Sequence, residues 1–390
     1  MMRVGERPGS LDFAQRPLLV FWETTRACAL ACEHCRASAM LEPLPDELTT
    51  EEGVALVDQI AQFNEPSPIL ILTGGDCLMR HDLLRLLDYA ASRGMRVALS
   101  PSVTPRLSPA LLDQIRARGV RAVSISLDGA VAETHEAVRG VRGHFDATIQ
   151  AATLLAARGF TVQVNTTVMR RNVEELADVG ALIQSAGVRI WEVFFLVTVG
   201  RGTRCDEISP DEHEDVCHFL VDASRHGVIV RTVEAPFFRR VVAQRRAYHG
   251  DDVAAAFALG PLYRHLSGRL RHLVGTHGGS AAAPSVATRD GSGVIFVAYN
   301  GDVLPSGFLP VPLGNVRAAS LVDIYRQHPL LQAIRRAEFS GRCGTCAYAE
   351  VCGGSRARAY ARHGDPLASD PACRYTVSGR GATPHANPCP

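Results

Sequence analysis

Residues 21–35 of this 390-residue chain read Phe21-Trp22-Glu23-Thr24-Thr25-Arg26-Ala27-Cys28-Ala29-Leu30-Ala31-Cys32-Glu33-His34-Cys35. The three cysteines stand at the spacing C-x3-C-x2-C, directly after an apolar run, Leu18 to Trp22, that is typical of a buried strand. Three thiolates on one short loop can bind three irons of a four-iron cluster and leave the fourth iron without a protein ligand. The alternative is a zinc site with His34 as the fourth ligand. The stretch alone leaves both metals open.

Composition narrows the class of protein. Hydrophobic residues make up 46% of the chain, which permits a large core, and the formal net charge of +1 gives no reason to expect nucleic acid or a membrane surface as partner. No apolar run approaches the length of a membrane span or forms the core of a signal peptide. We therefore expect a cytoplasmic protein. In a reducing compartment, its eleven cysteines favour metal or cluster ligation over a disulfide framework.

Short β-branched runs alternate with longer amphipathic ones as far as about residue 230. The predicted strands are Leu18–Trp22, Ile69–Leu72, Arg96–Leu99, Ala122–Ser126, Thr161–Thr166 and Ile190–Val197. The predicted helices are Glu51–Phe63, Asp82–Ser92, Pro109–Arg118, Phe145–Ala157, Glu174–Ser185 and Pro210–Arg225. Six strand–helix units in series imply parallel strands with right-handed crossovers, and hence an α/β barrel or an open α/β sheet. Chemistry in such folds lies at the carboxyl ends of the strands, where the cysteine loop also lies.

A second motif, Gly74-Gly75-Asp76, follows the second predicted strand. Paired glycines let a backbone edge approach a ligand closely, and an acidic residue beside them can meet an ammonium group. Gly-Gly turns after strands are common, so this motif is informative only together with the cysteine loop of the first unit. That combination resembles the radical S-adenosylmethionine (SAM) enzymes, and the resemblance extends over nearly the whole chain.

The resemblance implies a fold, a cofactor and a set of ligands. The fold would be α/β, a partial (βα)6 TIM-like barrel. Cys28, Cys32 and Cys35 would bind a [4Fe-4S] cluster whose open iron is chelated by SAM, and Gly74, Gly75 and Asp76 would contact the amino group of SAM. The chain departs from the family at two positions, with His34 where an aromatic residue is frequent and Cys77 where proline is usual. Neither departure removes a ligand.

Further SAM contacts are expected after the fourth strand. Strand alternation would point Ser124, Ser126 and Asp128 to one side, towards the mouth of the barrel. The resemblance implies that Ser126 and Asp128 bind the carboxylate and ribose of SAM, and that Asn165 plays a similar part. The alternative for Asp128 is a turn that caps itself with Asp-Gly. The end of the sixth strand, Gly200-Arg201-Gly202, is a further predicted contact, with adenine.

The other cysteine group lies near the C-terminus and consists of Cys343, Cys346, Cys352 and Cys373. Four thiolates are a full set for a second cluster or for zinc. Next to a radical SAM core the block resembles the SPASM/Twitch auxiliary-cluster domain. The full SPASM form has additional cysteines where this chain has Ser306 and Ser355. We therefore expect one auxiliary [4Fe-4S] cluster, closed by Cys373.

The chain divides into five predicted segments. These are an N-terminal extension (1–17), the radical SAM partial barrel (18–236), an arginine- and histidine-rich connector or lid (237–290), the SPASM/Twitch-like auxiliary domain (291–375) and a disordered tail (376–390). Within the auxiliary domain, Asn300-Gly301 predicts a hairpin turn. Residues 237–290 are either a solvated connector or a lid whose arginines meet an anionic substrate.

The amino-acid sequence from Cys352 to Cys373 most resembles that of the branch that modifies tetrapyrroles in haem biosynthesis, whose members remove or oxidise propionate and acetate side chains. We therefore predict an enzyme that cleaves SAM reductively to a 5′-deoxyadenosyl radical and abstracts hydrogen from a tetrapyrrole or a peptide in an oxidative modification. Its electron donor would be of the flavodoxin or ferredoxin type. Two alternatives stay open. One is a ribosomal-peptide maturase, and the other is a non-catalytic binding protein whose fold is stabilised by zinc ions or iron–sulfur clusters. The sequence assigns no catalytic acid or base.

Overall fold

The computed structural model describes residues 12–63, 65–275 and 288–375. Strands run over Leu19–Glu23 (β1), Ile69–Thr73 (β2), Val97–Leu99 (β3), Ala122–Ser126 (β4), Thr161–Val168 (β5), Ile190–Phe195 (β6), Ile229–Val233 (β7), Val294–Val297 (β8), Asp302–Leu304 (β9) and Gly314–Asn315 (β10). Helices run over Thr50–Ala61 (α1), Leu83–Ser92 (α2), Pro109–Ala117 (α3), Ala132–Arg139 (α4), His144–Ala157 (α5), Leu176–Ser185 (α6), Pro210–Ala223 (α7), Phe238–Ala247 (α8), Val253–Ala256 (α9), Pro261–Val274 (α10), Leu321–Gln327 (α11), Pro329–Arg335 (α12), Gly341–Gly344 (α13) and Arg356–His363 (α14).

All ten strands form one sheet, in the order β10-β9-β8-β1-β2-β3-β4-β5-β6-β7. Strands β1 to β7 are parallel and follow the order of the chain, so the predicted α/β class is confirmed. Burial alternates along the strands. In β6, Trp191, Val193 and Phe195 are buried, whereas Glu192 and Phe194 are only half-buried. One face of the sheet therefore packs under the helices, and the other lines the interior of the partial barrel.

Local signals in the sequence explain where the first helix begins. Thr49 accepts a hydrogen bond from the backbone of Glu52, and the Glu52 side chain accepts one from the backbone N–H of Thr49, so the two residues form a capping box. This fixed start of α1 sets the length of the loop that carries the three cysteines. None of the helices in the described parts of the chain is long and apolar enough to cross a membrane.

Three features of the barrel half were not predicted. A seventh parallel strand, β7, pairs with β6, and a short helix, α4, follows the Asp128-Gly129 turn. Helix α4 is mostly polar and lacks the apolar periodicity on which helix prediction depends. Helices α8, α9 and α10 occupy much of residues 237–290, for which we predicted a connector or lid, and α10 packs against α6 and α7. The domain boundaries themselves stay a prediction.

The arginines of that segment are largely engaged within the protein. Arg240 pairs with Glu214 at 2.5 Å, Arg245 with Asp222 at 2.5 Å, and Arg269 with Asp178 at 2.6 Å. The carboxylate partners come from α6 and α7. These ion pairs attach the helices to the barrel and leave the three guanidinium groups with counterions already in place.

The C-terminal part joins the same sheet at the opposite edge. Strand β8 runs parallel to β1, with Leu19 opposite Val294 and Phe21 opposite Phe296. The expected hairpin forms between β8 and β9, and Gly301 in its turn has φ +87°, a conformation that favours glycine. The predicted tail, 376–390, and most of the predicted extension, 1–17, lie outside the described residues.

Candidate functional site

The loop after β1 is held in shape by its own backbone. Cys28 donates its N–H to the carbonyl of Met40 at 2.7 Å, and Met40 donates to the carbonyl of Arg26 at 3.0 Å. Cys28 and Cys32 are buried, and Cys35 is partly exposed. The Sγ atom of Cys28 accepts a hydrogen bond from the N–H of Leu30 at 3.3 Å. Burial raises the pKa of Cys28, and this donor to sulfur opposes the increase, so the loop can hold Cys28 as a thiolate ligand of a cluster.

The Gly74-Gly75-Asp76 turn packs directly against that loop. A Cβ atom on Gly74 would lie 2.6 Å from the carbonyl oxygen of Thr25, and one on Gly75 would lie 2.7 Å from the carbonyl carbon of Ala27. Gly75 and Asp76 donate their N–H groups to the carbonyls of Thr25 and Ala27 at 2.8 and 2.7 Å. The structure thus brings the two predicted motifs together, and only glycine permits this approach.

The carboxylate of Asp76 is turned into the protein. It accepts hydrogen bonds from the backbone of Leu78 (3.1 Å) and Ser102 (3.2 Å) and from the hydroxyl of Thr104 (3.4 Å). Burial raises the pKa of Asp76 despite these donors. Its side chain therefore shapes the turn, and the backbone of the motif is the part that faces the cysteine loop.

Asp128 occupies a fully buried salt bridge at the end of β4. It contacts the guanidinium of Arg139 on α4, lies 3.7 Å from Nε2 of His34, and accepts the N–H of Thr167 at 2.7 Å. Burial by itself raises the pKa of Asp128, but the guanidinium of Arg139 brings it below its usual value. Burial lowers the pKa of His34 to about 4, so this residue is neutral at physiological pH. Asp128 therefore links β4, β5, α4 and the cysteine loop.

Sequence analysis missed Arg139. Its Nη1 atom donates to Sγ of Cys32 at 3.6 Å, while its Nη2 atom meets Asp128. The same guanidinium thus couples a predicted cluster ligand to a predicted SAM contact. A lone arginine at the end of an unpredicted helix offers no pattern by which it could have been found.

Ser126 and Asn165 lie side by side across β4 and β5, on the interior face of the barrel. Asn165 accepts a hydrogen bond from the amide of Gln163 at 2.8 Å, and the same amide donates to Glu192 at 2.7 Å. Both predicted residues are half-buried, so they are accessible to a ligand within the barrel. The set predicted to contact SAM is therefore divided, with Asp128 in a buried salt bridge and these two residues facing the interior.

The turn at Gly200-Arg201 packs against the cysteine loop. Arg201 donates its backbone N–H to the carbonyl of Cys35 at 3.0 Å, and its Nε atom donates to the carbonyl of Cys32 at 2.8 Å. Gly200 has φ +61°, and a Cβ atom there would lie 2.6 Å from the carbonyl carbon of Arg36. These residues, for which we predicted contact with adenine, hold the loop between its second and third cysteines.

The four C-terminal cysteines line a single cavity; they are Cys343, Cys346, Cys352 and Cys373. Three of the sulfurs accept backbone hydrogen bonds, from Asp370 to Cys343 (3.4 Å), from Tyr348 to Cys346 (3.4 Å) and from Gly354 to Cys352 (3.3 Å). Burial raises the pKa of Cys352 to about 11 and that of Cys373 to about 12. Cys352 and Cys373 are therefore protonated at neutral pH until a metal binds them.

Ser306 and Ser355, which stand where the full SPASM form has cysteines, have structural roles. The hydroxyl of Ser355 caps α14 by accepting the N–H of Arg358 at 2.9 Å. The hydroxyl of Ser306 accepts the N–H of Phe308 at 3.3 Å. Neither residue is among those that line the four-cysteine cavity.

Within residues 12–63, 65–275 and 288–375, no group of three or more His, Cys, Asp or Glu side chains is placed to hold a single metal ion. A cluster makes a different demand on its ligands, because each thiolate binds a different iron and the sulfurs need not converge on one point. Both cysteine sets, with their backbone donors to sulfur, fit that demand.

Residues 22–183 match the model of the radical SAM superfamily. Over 361 residues, the chain is 36% identical to the AdoMet-dependent heme synthase of Methanosarcina barkeri, an alignment that covers 92% of this chain and 97% of that relative. The chain belongs to the radical SAM superfamily. Radical SAM enzymes use a [4Fe-4S] cluster and SAM, so the family, the enzymatic class and the principal cofactors predicted from the sequence are confirmed.

One further relative and one solved structure of similar fold extend the comparison. This radical SAM chain is 30% identical over 369 residues to the mycofactocin maturase MftC of Mycobacterium ulcerans, covering 94% of this chain and 89% of the relative. Its fold matches the crystal structure of Streptococcus suis SuiB bound to the precursor peptide SuiA with a TM-score of 0.66 and 13% identity, over 93% of this chain and 76% of SuiB. The partial-barrel fold is thus confirmed, whereas the ligand assignments stay predictions.

Proposed function

We propose that this radical SAM enzyme oxidatively modifies a tetrapyrrole. The observation that carries the proposal is the 36% identity, over 92% of the chain, to a heme synthase. The peptide-modifying relative MftC is less similar, at 30% identity. Both alignments span almost the entire chain, so the difference is not confined to the superfamily's common core.

Cys28, Cys32 and Cys35 are assigned as the ligands of the catalytic [4Fe-4S] cluster. When bound there, the cluster and SAM supply the electron and the 5′-deoxyadenosyl radical that abstracts hydrogen from an unreactive C–H bond. The burial of Cys28 and Cys32 shields this chemistry from water. The hydrogen bonds of Gly75, Asp76 and Arg201 to the loop backbone fix the orientation of the three sulfurs.

The SAM contacts are assigned from what each side chain is free to do. Gly74, Gly75 and Asp76 offer their backbone to the amino group, because the Asp76 carboxylate already accepts three hydrogen bonds within the protein. Ser126 and Asn165 offer polar groups inside the barrel. Asp128 is assigned an indirect role, because it holds Arg139 next to Cys32 and does not itself contact SAM.

Cys343, Cys346, Cys352 and Cys373 are assigned to one auxiliary [4Fe-4S] cluster. Four protein thiolates leave no open iron, so this site suits the transfer of an electron better than the binding of a substrate. Reductive cleavage of SAM consumes one electron, and a flavodoxin- or ferredoxin-type protein is the proposed donor. A cluster held by these four cysteines would supply an acceptor for an electron from the substrate, and the net change in the substrate would then be an oxidation.

The test is anaerobic reconstitution with iron and sulfide, followed by incubation with SAM, dithionite and iron coproporphyrin III, a tetrapyrrole with four propionates. We expect 5′-deoxyadenosine, together with a porphyrin product that is lighter by CO2 and two hydrogen atoms for each propionic acid side chain converted, one hydrogen abstracted by the 5′-deoxyadenosyl radical and one lost as a proton. The matched control replaces Cys28, Cys32 and Cys35 by alanine and should form no nucleoside. A fully reconstituted protein that forms no 5′-deoxyadenosine would refute the proposal.

Peptide maturation is the second candidate, favoured by the similarity to MftC and by the fold shared with peptide-bound SuiB. It predicts that 5′-deoxyadenosine still forms while the porphyrin is unchanged. The two candidates are therefore separated by the same incubation, read once for the nucleoside and once for the porphyrin mass.

A further inference from the structure

A polar row crosses four adjacent strands on the interior face of the barrel. The register places Ser126 of β4 opposite Asn165 of β5, Asn165 opposite Glu192 of β6, and Glu192 opposite Arg231 of β7. Residues paired across parallel strands project to the same side of the sheet. The row therefore extends from the proposed SAM contacts, Ser126 and Asn165, to two charged residues with no role assigned so far.

Arg231 differs from the arginines that follow it in the chain. Arg240, Arg245 and Arg269 each have a carboxylate within 2.6 Å. Arg231 is exposed, and within the described residues it forms no salt bridge and no side-chain hydrogen bond. A planar guanidinium binds a carboxylate through two parallel hydrogen bonds, so Arg231 is free to bind an acid group that enters the barrel.

Glu192, the neighbour of Arg231 in the row, forms no salt bridge with it. Its carboxylate instead accepts a hydrogen bond from the amide of Gln163 at 2.7 Å. Burial raises the pKa of Glu192, against the opposing effects of Arg231 and Gln163. The guanidinium of Arg231 therefore has no hydrogen-bonded carboxylate among the described residues.

An aromatic surface adjoins the row. Phe194 lies two residues beyond Glu192 on the same face of β6, and its ring is 5.9 Å from that of Phe308. The guanidinium of Arg36 lies 6.0 Å from the ring of Phe308 and 4.6 Å from that of Phe296. Phe194 and Phe308 are both half-buried, so part of each ring is accessible. An apolar surface next to the row that contains the unpaired guanidinium of Arg231 suits a planar molecule with acidic side chains.

We propose that Arg231 binds a carboxylate of the substrate while Phe194 and Phe308 contact its planar ring system. This inference rests on the proposed tetrapyrrole substrate and names the residue that recognises its acid side chains. It also assigns to β7 a function that we had expected of the arginines in the following segment.

The experiment is an anaerobic absorbance titration of the reconstituted enzyme with iron coproporphyrin III and, in parallel, with its tetramethyl ester. Arg231→Gln should raise the Kd for the acid roughly 10- to 100-fold, the range expected when a hydrogen bond to a charged group is lost. The variant should bind the ester as the unmodified enzyme does. Arg231→Lys, which keeps the charge but loses the bidentate geometry, should fall between the two.

Arg225→Gln is the matched control, because Arg225 is also exposed but follows α7 and precedes β7, away from the carboxyl end of the sheet. It should leave both Kd values unchanged. If Arg231→Gln binds the acid as tightly as the unmodified enzyme does, the inference is wrong and the proposed substrate stands. If the unmodified enzyme binds neither porphyrin, both are overturned. Unchanged iron content and cluster absorbance exclude misfolding as the cause of weaker binding.

Discussion

Replacing Asp128 by alanine tests whether this residue holds the structure together or binds SAM directly. The carboxylate is fully buried and is the partner of Arg139. Its removal leaves that guanidinium without its counterion and the N–H of Thr167 without its acceptor. Breaking a buried ion pair by deleting one partner costs about 3–5 kcal/mol.

This free energy converts into a measurable shift of the melting temperature. Unfolding carries an entropy of about 2.1 cal/mol/K per residue, so a chain of 390 residues has about 0.8 kcal/mol/K in total. Asp128→Ala should therefore lower the Tm by about 4–6 °C. Asp128→Asn retains an acceptor for Thr167 but loses the charge, and should give a smaller shift. Scanning calorimetry of the reconstituted proteins at pH 7 measures both.

The control is Asp113→Ala, which removes the same charge from an exposed pair with Arg158 at 3.3 Å. Exposed pairs contribute about 0–1 kcal/mol, so its Tm should fall by no more than about 1 °C. A direct SAM ligand would behave differently, with weaker SAM binding and an unchanged Tm. If Asp128→Ala melts within 1 °C of the unmodified protein while its affinity for SAM falls tenfold or more, the structural role assigned to Asp128 is wrong.

Three further predictions concern other parts of the molecule. Burial lowers the pKa of His213 to about 3, so the folded protein keeps it neutral while the unfolded chain protonates it below pH ~6.5. The contribution of His213 should thus lower the free energy of unfolding by about 2 kcal/mol between pH 7 and pH 5. In His213→Phe, the Tm should therefore fall by about 2 °C less over this pH range than in the unmodified protein, as melting curves at the two pH values would show. The added Cβ in Gly75→Ala should displace the cysteine loop, so that the variant holds about four fewer irons per chain in a colorimetric assay. Gly268→Ala is the control and should retain these irons, because the space around its Cβ position is open. Arg356→Met removes a buried guanidinium that donates to Pro366 (2.9 Å), Ala368 (2.7 Å) and Sγ of Cys343 (3.7 Å), and should lose about four irons from the auxiliary site; retention of about eight would contradict that assignment.

Much of the fold was predictable because its elements carry local signals. The six predicted strands lie within a residue or two of the observed ones. Strand β7 and helix α4 were missed. Helix α4 is short and polar, and what holds it is the pairing of Arg139 with Asp128, a contact between residues that have no pattern in common.

The site was predictable where it depends on residue type and spacing, and less so where it depends on orientation. Spacing singled out both cysteine sets as candidate ligands, which stays a prediction, and strand order placed Gly74 and Gly75 next to the cysteine loop, where the structure also has them. Spacing could not show that the carboxylates of Asp76 and Asp128 turn into the protein, because that depends on Ser102, Thr104 and Arg139, which come from other elements. The position of Arg231 in the polar row likewise follows from strand register, which is a tertiary property.

The pairing of β8 with β1 has a consequence for synthesis. Leu19 and Val294 become neighbours across roughly 275 residues of chain, and closing a loop of that length costs about 5 kcal/mol of chain entropy. During synthesis, the edge of β1 that pairs with β8 stays unpaired until about three quarters of the polypeptide has been made. An unpaired apolar strand edge can associate with other chains. We expect nascent chains that end before residue 294 to need a chaperone at that edge, and the cysteine loop that follows β1 to become a competent acceptor of iron and sulfide late, after translation has passed the C-terminal hairpin.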